Sequence, residues 1–244
     1  MLGVDTQESL EAVLEAVADL PRAPELFLLT GDLVQDAEAA TYQRLRRLLS
    51  GLPAPAYCLP GNHDDARLMR ELLTDGRRLL MQTRVSLAGW ELLCLNSTIA
   101  HNPCGHLGEE ELALLRRELA AIPAERPVLL AMHHSPVRTG SRWLDTMVVS
   151  DAERLFECLE PHPNVRAILT GHVHQQLDVH RGGIRVLACP STCFQFKPSS
   201  RDFALDPVPQ GYRWLELQPD GTIETGVERL VAVPRGLDLA SAGY

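Results

Sequence analysis

Four short stretches of the chain hold residue types that bind metals and move protons. They are Gly31-Asp32, Gly61-Asn62-His63-Asp64, His133-His134 and Gly171-His172-Val173-His174. Together they offer a carboxylate, an amide oxygen and several imidazoles. That mixture of oxygen and nitrogen donors suits borderline or hard divalent ions such as Zn²⁺, Mn²⁺ or Fe²⁺. Taken singly the stretches say little. A lone Gly-Asp reads as a turn, a His-His pair as structure or surface, and Gly-Asn-His-Asp as a plausible turn. What joins them is placement, because each one follows an apolar, strand-like run. A glycine precedes Asp32, Asn62 and His172 and lets the backbone turn sharply at that point. In open α/β sheets, sites gather beyond the carboxyl ends of the strands. Segments far apart in sequence can therefore deliver these side chains to one place.

The runs that must position them alternate with helix-like segments. "ELFLLTGD" reads as a strand ending at Asp32, and "APAYCLPGNHD" as a strand breaking at Pro60-Gly61. "WELLCLNST", "PVLLAMHHSP" (closed by Pro136), "VRAILTGHVH" and "IRVLACPST" are further strands, and Asp220-Gly221 marks a late hairpin. Helical spacing covers Ser9–Leu20, with Ser9 as its N-cap, and Ala37–Leu49. It returns over Glu109–Ala121, whose acidic first turn suits the helix dipole. Asp151–Leu159 is also helical, with Asp151 as cap. Strand–helix alternation predicts an α/β protein, and the hairpins predict a mixed sheet. No internal repeat or domain boundary stands out. Residues 1–232 read as one domain, and 233–244 as a loose tail over the surface.

Composition narrows the function classes. The 244 residues carry a formal charge of −9, without the basic face of a phosphate-tracking nucleic-acid protein. No apolar run approaches the ~20 residues of a membrane span. The opening "MLGVDTQESL" lacks the basic and apolar regions of a signal peptide. Cys58, Cys94, Cys104, Cys158, Cys189 and Cys193 are scattered, and three of them lie in apolar runs. Reduced thiols in a cytoplasmic protein fit this pattern. Cys189 and Cys193 stand four apart without a second pair, too little for a zinc ribbon.

The order Gly-Asp, Gly-Asn-His-Asp, His, Gly-His-x-His resembles the calcineurin-like metallophosphoesterase superfamily. "LGVDT", "GSRWLD" (140–145), "CPSTCFQFKP" (189–198), "GYRWLEL" and the closing "ASAGY" are similar to the bacterial class III 3',5'-cyclic-AMP phosphodiesterases. That likeness covers nearly the whole chain. It implies a four-layer α/β/β/α sandwich with mixed sheets. It also implies hydrolysis of 3',5'-cyclic AMP to 5'-AMP by a hydroxide bridging two divalent ions (Fe²⁺, Mn²⁺ or similar). Under the resemblance Asp32 bridges both metals. Asn62, His133 and His172 complete the second metal, and His174 belongs to the first. His133, not His134, is the ligand because it lies three residues before Pro136. His63 faces the phosphate and steadies it or protonates the leaving oxygen. Asp64 orients His63 or its loop. Asp32, Asn62 and His63 form the catalytic set and, with His174, touch the substrate. The implied partner is a small cyclic nucleotide, with neither nucleic acid nor membrane involved.

One part of the pattern is missing. The superfamily carries an Asp-x-His motif at the end of its first strand, which supplies the remaining ligands of the first metal. No such strand and motif precede Gly31-Asp32 here, so the sandwich is expected to lack that strand and the likeness to be cut through upstream of Leu2. Asp5 has the spacing but Gln7 in place of histidine, and it reads as part of a helix approach. The chain is therefore expected to bind about one metal tightly and to hydrolyse poorly. A broader phosphodiesterase or phosphatase, or an impaired nucleotide-binding module, are the competing readings. Lys197 and Arg142 read as solvated charges, and Trp143 equally as core or as a base-pocket wall. Asn96-Ser97 could line the site, while His101, His106, His162 and His180 read as surface or loop residues.

Overall fold

The computed structural model describes residues 1–243, and the final residue of the tail, Tyr244, lies outside them. Two sheets face each other. The smaller is wholly parallel, in the order β1 (Phe27–Leu29), β2 (Ala56–Cys58), β3 (Leu79–Leu80). The larger has six strands: β4 (Arg84–Leu87), β5 (Trp90–Cys94), β6 (Val128–Ala131), β7 (Val165–Thr170), β8 (Asp178–Arg181) and β9 (Ile184–Ala188). Its order is β4-β5-β6-β7-β9-β8, with β5, β6, β7 and β9 parallel and an antiparallel strand at each edge. Two ribbons follow, β10 (Gln195–Phe196) with β11 (Leu205–Asp206), and β12 (Gly211–Leu217) with β13 (Ile223–Arg229).

Strand alternation builds the layers. In β6, Val128 and Leu130 face α4 (Gly108–Ala120) and α5 (Ala152–Leu159), while Leu129 and Ala131 face the smaller sheet. In β1 and β2, Leu28 and Tyr57 point into that same intersheet core. Phe27, Leu29, Ala56 and Cys58 point the other way, onto α1 (Thr6–Ala18) and α2 (Ala39–Leu49), and the short α3 (Ala66–Leu68) follows β2. The result is the expected α/β/β/α sandwich. Leu215, Leu217 and Ile223 of the last ribbon extend the intersheet core beside the small sheet, in which β1 is an edge strand. On α4, Leu112, Leu115 and Leu119 repeat on one face and are fully buried. Each such leucine contributes roughly 1.5–3 kcal/mol.

Two expected caps are placed differently. Asp5, not Ser9, caps α1 by accepting the N–H groups of Gln7 and Glu8, while the Ser9 hydroxyl reaches the Thr192 carbonyl. Asp151 precedes α5, but its carboxylate accepts from Leu107 and Gly108 and so caps α4. A cap residue serves whichever orphan N–H groups lie within reach, and folding brought those of α4 closer. The segment from 233 folds back on the amino terminus, where Asp238 N–H meets the Leu2 carbonyl (3.0 Å).

Candidate metal centre

The four ligand-bearing stretches follow β1, β2, β6 and β7, adjacent pairs in the two facing sheets. The sheets are tied at this point by His133, whose Nδ1 donates to the Thr30 carbonyl (2.7 Å). A carbonyl can only accept, so Nδ1 carries a proton, and Nε2 is the atom left to take either a second proton or an ion. Three further donor atoms surround that nitrogen: Asp32 Oδ2 at 3.2 Å, Asn62 Oδ1 at 3.3 Å and His172 Nδ1 at 3.2 Å. Ligands about 2.0–2.2 Å from a shared ion stand about 3.0–3.5 Å apart, so these spacings match the edges of a coordination shell. Lone pairs this close repel unless a proton or a cation lies between them. His172 Nε2, the nitrogen that carries the proton when Nδ1 offers its lone pair, is buried without a hydrogen-bond partner.

Electrostatics support the same reading. Burial would raise Asp32, but the charge and hydrogen bond of His133 outweigh it and hold the carboxyl far below its usual range. Burial would lower His133, but Asp32 outweighs it and draws positive charge there. His172 is lowered well below normal, first by burial and then by its histidine neighbours.

His134 is separate, although its ring nitrogen lies within 4.8 Å of the His133 and His172 donors. Its Nε2 donates to the Pro103 carbonyl (3.2 Å), which leaves Nδ1 to accept the Ser97 hydroxyl (2.9 Å). With both nitrogens engaged, it has no lone pair for an ion. Burial and the charge of His133 push it down to about 3. The structure thus separates His133 from His134 on hydrogen bonding alone.

His174 sits to one side. Its Nδ1 donates to the Phe194 carbonyl (3.0 Å), and its ring stacks on Phe196 at 4.5 Å and 8°. Burial lowers it to about 4, so it is neutral near pH 7. His174 and Asp32 both hold left-handed backbone (φ +47° and +52°), a strained conformation for non-glycine residues that concentrates at functional sites. Close approach of the loops demands glycine at two points. A Cβ on Gly61 would lie 2.1 Å from Asp32 Oδ1, and one on Gly31 (φ +95°) would lie 2.5 Å from His133 Nδ1.

His63 is half-buried and gives its backbone N–H to Asp32 Oδ1 (3.0 Å). Asp64 joins the loops by accepting from Leu33 and Gly61. Asp5 is committed to its helix cap, away from ligand duty. The chain's one Asp-x-His, Asp178–His180, lies on exposed β8, where Asp178 holds Arg185. Trp143 packs edge-on to Phe196 and Phe203, and Arg142 and Lys197 are exposed. Asn96 closes its own turn onto Thr98, whereas buried Ser97 holds His134. The contacts of Thr30 and Phe194 had no signal in the sequence, because both are made through main-chain carbonyls. No helix among the described residues is long and apolar enough to cross a membrane.

Comparison with known proteins agrees with this geometry. The calcineurin-like phosphoesterase family profile matches residues 5–176. Across all 244 residues the chain is 43% identical to the 3',5'-cyclic adenosine monophosphate phosphodiesterase CpdA of Pseudomonas aeruginosa, covering 100% of this chain and 89% of that protein. The protein of the same name from Escherichia coli K12 is 42% identical over 245 positions, covering 100% of this chain and 88% of its own length. Among solved structures, a dimetal phosphatase from Danio rerio shares the fold at a TM-score of 0.56 and 16% identity, covering 86% of this chain and 84% of that one. TT1561 of Thermus thermophilus does so at 0.51 and 18%, covering 90% and 92%. With the family profile matched over residues 5–176 and relatives 42–43% identical across its whole length, the chain belongs to the calcineurin-like phosphoesterase family.

Proposed function

We propose that this protein hydrolyses 3',5'-cyclic AMP to 5'-AMP. Asp32, Asn62, His133 and His172 hold one divalent ion, and Asp32 and His174 face a second position. The observation that carries the reading is the convergence of three donor atoms on His133 Nε2, in a chain 42–43% identical to two proteins named as cyclic-AMP phosphodiesterases. When bound, the ion supplies Lewis acidity, polarising a phosphoryl oxygen and lowering the pKa of water. Fe²⁺ or Mn²⁺ suits these ligands.

The chain's own residues do the rest. Asp32 keeps a buried negative charge at the point where the two sheets meet. The Thr30 and Phe194 carbonyls fix the tautomers of His133 and His174, so that Nε2 faces the site in each. His63, on the loop beside Asn62, donates to the phosphoryl group and delivers a proton to the departing 3'-oxygen. In the balanced step a water oxygen bonds to phosphorus and sheds a proton to solvent, the bond to the 3'-oxygen breaks, that oxygen takes the proton from His63, and solvent returns a proton to His63. The six free cysteines fit a reducing compartment such as the cytoplasm.

The donor set is lopsided. Asp32, Asn62 and His172 all place donors within 3.3 Å of His133 Nε2, whereas His174 lies against the Phe194 carbonyl and the rings of Phe194 and Phe196. We therefore expect one tight ion per chain and slow turnover. Metal analysis after dialysis tests the stoichiometry. Turnover of cyclic AMP against bis(p-nitrophenyl) phosphate and a monoester tests the substrate class. Two tight ions with fast turnover would overturn the lopsided site, and preference for the monoester would overturn the diesterase reading.

A further inference from the structure

The loops that carry Asp32 and Asn62 are laced together reciprocally. His63 gives its backbone N–H to Asp32 Oδ1 (3.0 Å), and Leu33 gives its own to Asp64 Oδ2 (3.0 Å). Each loop thus supplies a carboxylate to the main chain of the other. Asp64 Oδ2 also accepts from Gly61 (2.9 Å), the residue beside Asn62. Its second oxygen, Oδ1, takes the hydroxyl of Tyr42 (3.1 Å), and that hydroxyl accepts the Asp65 N–H (2.9 Å). Tyr42 lies on α2, fully buried in the cluster with Leu45 and Leu49. Its ring would fill that space equally well as phenylalanine. A buried hydroxyl is costly unless both of its hydrogen bonds are made, and here both go to the loop of the metal centre.

We infer that Tyr42 is a positioning residue for the metal centre. Through Asp64 it sets the spacing of the Asp32 and Asn62 loops, and so the donor distances around His133 Nε2. The inference rests on the metal-centre reading above. Metal coordination tolerates errors of only about 0.2 Å. Without the phenol, Asp64 Oδ1 and the Asp65 N–H both lose a partner inside the fold. The Asp64 carboxylate is then free to rotate away from Leu33 and Gly61, and the lacing loosens. Changes to such outer partners typically weaken metal binding about 10–100-fold.

The test is Mn²⁺ binding by the full chain, followed by calorimetry and by the electron paramagnetic resonance of free Mn²⁺. Tyr42→Phe should bind at least about tenfold more weakly. Leu45→Ala, on the same helix, removes core packing and should bind as the unaltered protein does. Asp64→Asn should weaken binding at least as much as Tyr42→Phe. The double variant should be no weaker than Asp64→Asn alone, because Tyr42 acts through Asp64. Normal affinity in Tyr42→Phe, equal weakening in Leu45→Ala, or additive losses in the double variant would each overturn the inference. His172→Ala is the control for the centre itself. If it bound Mn²⁺ normally, the metal-centre reading would fall, whatever Tyr42→Phe did.

Discussion

His133 and His174 each donate Nδ1–H to a main-chain carbonyl, Thr30 in one case and Phe194 in the other. Each is thereby fixed as the tautomer that offers Nε2. Around His133 that nitrogen meets Asp32, Asn62 and His172 within 3.3 Å. Around His174 the neighbours are rings, with Phe196 stacked on its face and Phe194 tilted against it. Fixing a tautomer needs only one nearby carbonyl, and any loop can provide that. Gathering four donors needs four strand ends from two sheets, with glycine where the loops nearly touch. The two sides therefore differ in ligand number more than in the preparation of each imidazole.

The sharpest way to break this comparison is to delete one histidine from each side. His172→Ala removes one of four converging donors. Its Mn²⁺ affinity should fall by more than the ~100-fold seen when outer partners are changed, and metal-dependent turnover should vanish. His174→Ala should lose turnover while keeping the tight ion. Equal loss of tight metal in both variants, measured by metal analysis after dialysis, would erase the distinction between the sides. Gly61→Ala is the next largest. Its new Cβ lies 2.1 Å from Asp32 Oδ1, which cannot retreat without losing the His63 N–H. A drop of about 10–100-fold in Mn²⁺ affinity is expected, with circular dichroism unchanged. Unchanged binding would mean that Asp32 is not fixed as described.

The convergence at His133 was legible in the sequence because the residues proposed as ligands are side chains at strand ends, each announced by an apolar run and a glycine or proline. Strand–helix alternation predicted an α/β protein, and the four layers were what the family resemblance implied. What supports the ligands was not legible. Thr30 and Phe194 act through carbonyls, which every residue possesses. Asp151 stood at the start of a helix, yet serves α4, a partner that only tertiary folding brings near. Tyr42 matched the apolar periodicity of α2, and nothing local betrays that its hydroxyl reaches a loop 22 residues away. His133 and His134 look alike in sequence, and hydrogen-bond partners from three other segments separate them.

His134 sharpens the comparison through pH. It lies in the same histidine cluster as His133 and is held neutral, its pKa pushed down to about 3. The unfolded chain binds that proton near pH 6.5 and the folded chain does not. Stability is therefore fully present above about 6.5 and falls as the pH drops from there toward 3, by on the order of 4–5 kcal/mol for this group. His172 and His174 act in the same direction. Asp64, raised by burial to about 6, acts in the opposite direction between about 4 and 6. His133, raised by Asp32, acts with Asp64, while the three lowered histidines drive the loss in acid and Asp32, held far below its usual range, adds to it below about pH 4. Urea unfolding with chelator present, repeated from pH 7 to 4, should show a shallower acid limb for His134→Gln. An identical slope would mean that His134 is not the neutral group its partners require.

Phe196→Leu should have the smallest effect and bears on the His174 side alone. A stacked ring pair contributes about 0.5–1.5 kcal/mol beyond buried area. The Phe194 carbonyl still fixes the His174 tautomer in this variant, so ring tilt is all that is freed. Turnover should fall by a few-fold to about tenfold, which is what 0.5–1.5 kcal/mol corresponds to. Affinity for the tight Mn²⁺ should stay within experimental scatter, because Phe196 stacks on His174, which is not one of the four donors. A matching loss of tight Mn²⁺ in Phe196→Leu would show that the aromatic wall holds the His133 side in place as well. The two sides would then be a single mechanical unit, and the separation drawn from ligand number would not describe how the site works.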